Sequence, residues 1–230
     1  GGYKSFRKVV LEELSEKRNY LVLGGLTGSG KTEILKLLAA RGCQMIDLEG
    51  LACHKGSAFG SIGQPPQPSS EHFSNLLWKK LVQLDDKRII WLEDESRNIG
   101  SVFLPDGFFR YIREAPVIAL LMDQKTRIPR LVEDYANHSR EELVQAVTKI
   151  SKRLGGDNTK ESVESIVSGN FTRAIEITLA YYDSTYLYGL KQRPESKIKF
   201  LETDSDDVEH NASMVLEAAR EITSSLNQSI

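Results

Sequence analysis

Residues 25–32 read GLTGSGKT, a complete phosphate-binding loop of the form G-x-x-x-x-G-K-[ST]. An apolar run before the motif and a helical pattern after it predict the strand–loop–helix setting that phosphate binding needs. The glycines allow a tight turn whose N–H groups face an anion, and the following helix adds its dipole. Lys31 adds a positive charge and Thr32 a hydroxyl for Mg²⁺. The predicted phosphate-binding residues are Gly25, Gly28, Ser29, Gly30, Lys31 and Thr32.

Acidic side chains follow two predicted strands. Glu93, Asp94 and Glu95 come directly after the apolar run 88–92. An acid in that position beside a phosphate loop typically holds Mg²⁺ or its water shell, so we predict Glu93 and Asp94 as ligands together with Thr32. Three adjacent acids leave the ligand's identity open, and a solvated turn is the alternative.

Asp47 ends the strand predicted over 44–48, where an acid in phosphate-loop kinases faces the acceptor group and acts as a base. The alternative, which the sequence favours about equally, is that Asp47 is only a polar residue where the chain leaves the strand. The predicted catalytic set is Lys31, Asp47, Glu93 and Asp94.

Basic residues on predicted loops and helix starts are candidates for lid or RNA contacts. Arg127 and Arg130 follow the fourth strand of the predicted parallel sheet, where lid arginines cover phosphates. Lys55 and Ser57 lie among glycines in a long loop, which suits close approach to a sugar–phosphate backbone. Arg97 follows the acidic cluster. The alternative for Arg127 and Arg130 is that they are arginines at an exposed helix start. The alternative for Lys55 and Ser57 is that their loop is a flexible linker.

Composition excludes several classes of protein. The 230 residues are 40% hydrophobic and 27% charged, with a formal net charge of −2, as in ordinary soluble proteins. Two cysteines and four scattered histidines give neither a disulfide framework nor a zinc signature. No apolar stretch is long enough to span a membrane and no signal peptide appears, so we expect no membrane partner and a cytoplasmic location. Because the chain begins at Gly1, we expect a fragment or a subunit of something longer.

Alternating strands and helices predict an α/β fold in which a parallel sheet is flanked by helices, as in phosphate-loop NTPases. Residues 139–193 carry helices with no strand between them, which indicates a helical insertion or cap. The predicted organisation is a linker helix over 1–18 and a phosphate-loop domain over 19–230. The remaining elements are predicted as helices at 31–41, 70–84, 105–114, 129–136, 139–154, 159–168, 171–190 and 206–226, strands at 19–24, 88–92, 117–122 and 197–201, and a loop at 50–69.

Taken together, these segments resemble the C-terminal phosphate-loop domain of the tRNA 2-selenouridine synthase family over nearly the whole chain. The phosphate loop alone is generic. The resemblance is specific in blocks that occur in a fixed order, namely DLEGLA at 47–52, HKGSAFG at 54–60, QPS at 67–69, EDESRNIG at 93–100 and YYD at 181–183.

The resemblance implies an enzyme that acts on the wobble 2-thiouridine of certain tRNAs. Such enzymes place the geranyl group of geranyl diphosphate on the thione sulfur and then exchange it for selenium from selenophosphate. The family also carries an N-terminal rhodanese-like domain with an active-site cysteine, which we do not find in this sequence. We therefore expect selenium delivery to need a rhodanese-like domain or subunit as partner.

Two other functions stay open at this point. A small-molecule kinase would use Lys31 and Thr32 on ATP and Asp47 as base. A non-catalytic tRNA-docking module would keep its affinity for tRNA without Lys31. The sequence does not decide whether ATP or GTP is bound.

Overall fold

The computed structural model describes residues 1–227, with side chains up to residue 224. Its centre is a five-stranded, all-parallel sheet in the order β2-β3-β1-β6-β7, and a two-stranded antiparallel hairpin, β4-β5, lies apart from it. The strands are β1 Tyr20–Gly25, β2 Gln44–Ile46, β3 Ile90–Glu93, β4 Asn98–Ile99, β5 Val102–Phe103, β6 Val117–Met122 and β7 Ile198–Thr203. The fold class predicted from the sequence is confirmed.

Eleven α-helices surround or cap the sheet within residues 1–227. They are α1 Tyr3–Glu13, α2 Lys31–Ala40, α3 Leu48–Ala52, α4 Ser70–Leu81, α5 Asp106–Glu114, α6 Gln124–Ala136, α7 Arg140–Lys149, α8 Ser151–Leu154, α9 Gly156–Ser168, α10 Phe171–Leu190 and α11 Val208–Asn227. None of the helices in this part of the chain is both long enough and apolar enough to cross a bilayer.

The central strand explains why helices cover both faces of the sheet. All six residues of β1 are buried, and alternate side chains enter different cores. Tyr20 and Val22 pack with residues of α1, α4 and α5, whereas Leu21 and Leu23 pack with residues of α2 and α11. A strand that is apolar on both faces is stable only between two helical layers. The phosphate loop therefore leaves the middle of the sheet at its carboxyl edge.

The predicted helical insertion has a core of its own. Residues of α6 to α10 form a third apolar cluster that includes Leu143, Ile166 and Ile175. Phe59 and Ile62 from the loop after α3 pack into the same cluster. The insertion therefore covers one end of the sheet as a helical cap, and it also holds part of the long loop.

The second strand is shorter than predicted. It ends at Ile46, and residues 48–52, predicted as strand end and loop, form α3. The carboxylate of Asp47 accepts a hydrogen bond of 2.6 Å from the Gly50 N–H and so caps this helix. The cap gives the first-turn amides a partner, and this outweighs the apolar alternation that predicts strand.

Helix α6 begins more than one turn before the residue predicted to start it, at Gln124 rather than at Pro129. Pro129 is a residue of the helix interior, and the helix starts at Gln124 because Asp123 accepts a hydrogen bond from the Lys125 N–H. The capping hydrogen bond of Asp123 therefore determines where the helix starts, and the preference of proline for the first turn does not. The hairpin β4-β5 was not predicted, since two-residue strands leave no periodic pattern to detect.

Candidate phosphate and metal site

The phosphate loop has the backbone of an anion site. Gly28 and Gly30 adopt left-handed conformations, with φ of 81° and 77°. Gly30 is the N-cap of α2 and has no side chain to bond the first-turn N–H groups. These donors and the helix dipole therefore point at the same space, which is the arrangement that binds phosphate at helix N-termini.

The side chains of Lys31 and Ser29 form hydrogen bonds with backbone carbonyls of the same loop. The Lys31 ammonium donates to the carbonyls of Gly25 at 3.0 Å and Leu26 at 3.2 Å. The Ser29 hydroxyl is buried and donates to the Leu26 carbonyl at 2.7 Å. Lys31 forms no salt bridge within residues 1–224, so its charge is available to an anion bound on the loop.

A group of three glutamates lies beside Thr32, which we call the glutamate cluster and define as Glu49, Glu93 and Glu95. The Thr32 hydroxyl donates to Glu93 Oε1 at 3.0 Å and lies 3.5 Å from Glu49 Oε2. The Glu49 N–H donates to Glu93 Oε2 at 3.2 Å. At Gly56, whose φ is 73°, a Cβ atom would come 3.0 Å from Glu49 Oε1 and 3.1 Å from Glu95 Oε1. The backbone of the long loop therefore closes over the cluster, and a side chain at this position would be strained by the positive φ and would crowd both carboxylates.

Burial and mutual repulsion make the charged forms of these carboxyls unfavourable. The pKa of Glu93 is raised to about 7, first by burial and then by the charges of Glu49 and Asp47. Burial is also the main cause that raises the pKa of Glu49, where Lys31 opposes it, and of Glu95, where Glu49 and Glu93 add to it. A cation placed here would relieve the repulsion.

The oxygen atoms at this site are of the kind that Mg²⁺ binds, but protein side chains alone do not complete its coordination shell. Among the described residues, no three His, Cys, Asp or Glu side chains are arranged to hold a metal ion by themselves. Mg²⁺ normally takes one or two carboxylates and completes its shell with water and substrate phosphates. Glu93 and Thr32, in contact with each other next to the phosphate loop, supply oxygens of the required kind.

Asp94, a predicted metal and catalytic residue, lies on the other side of the strand end. Its carboxylate accepts a 2.6 Å hydrogen bond from Arg193, and Arg113 lies 3.9 Å away. The carboxylate is 5% exposed, and Arg193 also donates to carbonyls at the end of α5. Two guanidinium groups already neutralise this acid, so its carboxylate does not face Thr32 and the phosphate loop. The carboxylates that lie near Thr32 together with Glu93 are those of Glu49 and Glu95.

Asp47 likewise has a structural partner, since its carboxylate caps α3. The short helix that it caps brings Glu49 to Thr32, and the strand predicted for 44–48 would not have done so. The sequence signal that could have indicated Glu49 is Asp47, because aspartate is a favoured N-cap residue. A helix that begins after Asp47 has Glu49 in its first turn. Arg193 carried no local signal, because its partners lie 78 to 99 residues away.

Arg127, predicted as a lid or RNA contact, is buried. Its side chain is 2% exposed and forms two hydrogen bonds with the Asp183 carboxylate, of 3.0 and 2.6 Å. It also donates to the carbonyls of Thr27 and Met122, both at 2.9 Å. Arg127 therefore joins the phosphate loop, strand β6 and helix α10 from behind. The alternative of an arginine at an exposed helix start is wrong, and the burial of the side chain disagrees with the predicted lid or RNA contact.

Arg130, one turn later on α6, does lie next to the loop. Its guanidinium would be 3.3 Å from a Cβ atom at Gly30, and it pairs with Glu33 at 3.4 Å. Leu131 packs equally closely against Gly28. Helix α6 therefore covers the loop with one partly exposed cation that can reach a bound anion.

The other predicted RNA contacts are on the surface. Lys55 is half exposed and lies 3.5 Å from Asp134, and Arg97 is 55% exposed and pairs with Asp106. Ser57 is half-buried, and its hydroxyl accepts a hydrogen bond from the Phe59 N–H at 3.2 Å. The cap fixes this loop, because the Ala58 N–H donates to the Tyr182 hydroxyl at 3.0 Å.

The two arginines of α6 should separate stability from ligand binding. Arg127→Met should lower the free energy of unfolding by about 3–5 kcal/mol, since it leaves Asp183 without its buried partner. Arg130→Met should change that free energy by less than about 0.5 kcal/mol, and weaken pyrophosphate binding by about tenfold. Urea denaturation and calorimetry measure the two effects. Equal loss of stability in both variants would contradict the assignment.

The glutamate cluster should make stability depend on pH when divalent metal is absent. A carboxyl whose pKa is raised in the native state binds more protons there than in the unfolded chain, so stability falls as pH rises from about 4.5 towards 7. In EDTA, the melting temperature should therefore fall over this range, and Glu93→Gln should flatten the profile. Mg²⁺ should raise the melting temperature more at pH 8 than at pH 5.5, because protons compete with the ion.

The exposed carboxylate of Glu133 supplies the matched control for this measurement. Glu133→Gln should leave the profile of the wild-type chain unchanged. If Glu93→Gln gives the same profile as Glu133→Gln, the titrating group is not in the glutamate cluster.

Comparison with known proteins shows which family this chain resembles. The model of the tRNA 2-selenouridine synthase AAA domain matches residues 18–218. The chain is 32% identical to the tRNA 2-selenouridine synthase of Nitrosomonas europaea, covering 84% of this chain and 63% of the relative. It is 34% identical to that of Shewanella pealeana, covering 85% and 61%. The chain therefore spans somewhat less than two thirds of the length of these curated relatives.

A solved structure of the full-length tRNA isopentenylpyrophosphate transferase of Bacillus halodurans covers 92% of this chain and 100% of its own, at 15% identity and a TM-score of 0.47. That likeness is too distant to bear on the site. The family match covers most of the chain, from before β1 into α11. The chain therefore belongs to the tRNA 2-selenouridine synthase AAA domain family.

Proposed function

We propose that this chain is the diphosphate-binding part of a transferase that geranylates and then selenylates wobble 2-thiouridine in tRNA. The observation that carries the proposal is the phosphate loop itself, with free first-turn amides on α2, Lys31 inside it and Arg130 above it. A prenyl diphosphate and a selenophosphate both present the tetrahedral anion that such a loop binds. Membership of a family named for a tRNA-modifying synthase supports tRNA as the second substrate.

In the first proposed step, the thione sulfur of the nucleoside attacks the carbon that carries the diphosphate. A sulfur–carbon bond forms, the carbon–oxygen bond breaks, diphosphate leaves with the bonding pair, and the proton of N3 is released to water. The loop amides, Lys31 and Arg130 hold the departing diphosphate and stabilise the charge that develops on it. Glu93 and Thr32 would hold Mg²⁺, which as a Lewis acid would neutralise more of that charge.

We assign the second step, exchange of the S-geranyl group for selenium from selenophosphate, to the whole protein rather than to this chain. The relatives are longer than the matched region, and Cys43 and Cys53 are half-buried and lie in no site described above. A rhodanese-like domain or subunit would supply the cysteine that this step needs. With tRNA as substrate, we place the reaction in the cytoplasm.

A small-molecule kinase is the main competing proposal, because the same loop would hold ATP. Its base would be Asp47, whose carboxylate is engaged at the α3 cap. A kinase would turn over ATP with a hydroxyl acceptor, whereas the transferase would bind geranyl diphosphate without hydrolysing nucleotide.

The phosphate site should depend on Lys31. Lys31→Ala should weaken geranyl diphosphate and pyrophosphate binding by about tenfold or more, because it removes a charge-assisted contact to phosphate. Calorimetry with and without Mg²⁺ measures the affinity. Lys36→Ala, on an exposed turn of the same helix, serves as control and should bind as wild type does. Unchanged affinity in Lys31→Ala, or ATP turnover with no geranyl diphosphate binding, would contradict the proposal.

Binding of tRNA should use the cations at the carboxyl edge of the sheet. The double variant Lys55→Gln/Arg97→Gln should flatten the plot of log affinity against log salt concentration by about two units, because each cation that pairs with a phosphate adds about one unit to the slope. Lys79→Gln/Lys80→Gln, at the end of α4, provides a control with the same change of charge. Equal slopes for the two double variants would show that RNA binds elsewhere.

A further inference from the structure

Three cations on the helical cap lie close together and have no ionic partner. Lys149 is the last residue of α7, and Lys152 and Arg153 belong to the short helix α8 that follows. All three residues are exposed, and none of their side chains forms a salt bridge or donates a hydrogen bond within residues 1–224. We call these three residues the cap patch. Elsewhere on the cap, by contrast, the exposed Arg173 is paired with two glutamates.

The apolar residues between these cations hold the patch in place. Val147, Ile150 and Leu154 are buried in the apolar cluster of the cap, so the cations between them point to solvent. No acid occurs in residues 143–156. Cations in the last turn of a helix are also favoured by the helix dipole, so charge alone does not indicate a ligand. The position of the patch is what indicates one.

The loop that covers the glutamate cluster runs along α7, and it shows which end of this helix is near the site. A Cβ atom on Gly63 would lie 3.2 Å from the ring of His138, just before α7 begins. At the other end of the loop, the pKa of His54 is lowered by burial and then by the charge of Lys149. Gly56, two residues after His54, lies against two carboxylates of the cluster. The end of α7 that carries the patch is therefore the end nearer the glutamate cluster.

Arg153 lies near the same loop. Burial raises the pKa of Tyr182 to about 12, and the charge of Arg153 opposes the rise. The hydroxyl of Tyr182 accepts the Ala58 N–H of the loop at 3.0 Å. Lys55, half exposed in this loop, adds a further cation. Positive charge therefore lies on both the loop and the cap on this side of the site.

The opposite flank of the carboxyl edge is acidic. Strand β7 is the outer strand on that flank, two strands from β1, whereas the glutamate cluster lies on the β3 side of β1. Exposed carboxylates occur at the end of β7 and in the segment that follows it, at Glu202, Asp204, Asp206 and Asp207. A nucleic acid backbone is repelled by such a surface and attracted by the cap patch.

A polyanion suits the patch better than a small anion does. A single contact to an exposed cation is weak, because water and salt screen it. A nucleic acid backbone gains from every cation that it meets, since each contact releases condensed counterions. The nucleoside that reacts beside the phosphate loop is attached to such a backbone, which has to leave the site over a neighbouring surface.

We propose that tRNA reaches the phosphate loop over the cap, and that Lys149, Lys152 and Arg153 bind its sugar–phosphate backbone. This proposal rests on the proposed function, because it takes tRNA as the second substrate. It adds the surface that the RNA crosses and the direction from which it comes. These cations contact phosphates, so they add affinity and orientation without reading the base sequence.

The test is the salt dependence of binding between the full chain and 2-thiouridine-containing tRNA, measured by fluorescence anisotropy at a series of KCl concentrations. The triple variant Lys149→Gln/Lys152→Gln/Arg153→Gln should flatten the plot of log affinity against log salt concentration by about three units, one for each phosphate contact. Each single variant should flatten it by about one unit, so the test does not depend on the folding of the triple variant.

The matched control is Lys79→Gln/Lys80→Gln/Lys87→Gln, which removes the same charge from exposed positions away from the cap. It should keep the slope of the wild-type chain. Calorimetry with pyrophosphate should give the wild-type affinity in both triple variants, because neither changes the phosphate loop.

Three results would overturn the proposal. Equal slopes in the cap variants, the control and the wild-type chain would show that RNA does not cross the cap, while tRNA binding and the proposed function would stand. Loss of pyrophosphate affinity in the cap variants would show that these cations act on the phosphate loop instead of on RNA. Absence of tRNA binding by the wild-type chain would overturn the proposed tRNA function as well.

Discussion

Three carboxyl groups lie next to a loop whose backbone is arranged to bind an anion, and the repulsion between these charges is the main constraint on the site. Glu49 of α3 meets Glu93 and Glu95, which lie together at the end of β3, beside Thr32. Burial and mutual repulsion raise their pKa values, so the cluster favours either protons or a cation. A diphosphate on the loop adds further negative charge. In the function we propose, Lys31, Arg130 and a Mg²⁺ ion held by Glu93 and Thr32 would together balance the charges of the carboxylates and the diphosphate.

Hydrogen bonds from the cap hold several segments of that site in place. Arg127 ties the Thr27 carbonyl of the loop to Asp183 of α10, and Arg193, just beyond the same helix, holds Asp94 at the end of β3. Tyr182 of α10 accepts the Ala58 N–H from the loop that covers the glutamate cluster. One helix therefore fixes three segments that converge on the ligand. A phosphate loop held in this way meets its ligand with little rearrangement, which lowers the entropic cost of binding.

Elements could be predicted from the sequence where a motif or a hydrophobic periodicity lies within a short stretch of the chain. The phosphate loop, the buried strands on either side of it and the helical cap could all be read from spacing alone, and the order of short blocks identified the family. Which of the acidic residues lie beside the phosphate loop could not be predicted, because this depends on three-dimensional contacts that no local sequence pattern contains. Glu93 and Asp94 are adjacent, but strand alternation sends one to Thr32 and the other to Arg193. Burial of Arg127 depends on Asp183, which is 56 residues away.

In the function that we propose, this chain transfers the prenyl group but does not exchange sulfur for selenium. The most direct measurement is mass spectrometry of nucleosides from 2-thiouridine-containing tRNA, incubated with the chain, Mg²⁺, geranyl diphosphate and selenophosphate. We expect S-geranyl-2-thiouridine with the wild-type chain, much less with Lys31→Ala, and 2-selenouridine only when a rhodanese-like partner is added. Selenouridine made by this chain alone, at the same level in a Cys43→Ser/Cys53→Ser variant, or geranylation that does not depend on Lys31, would contradict it.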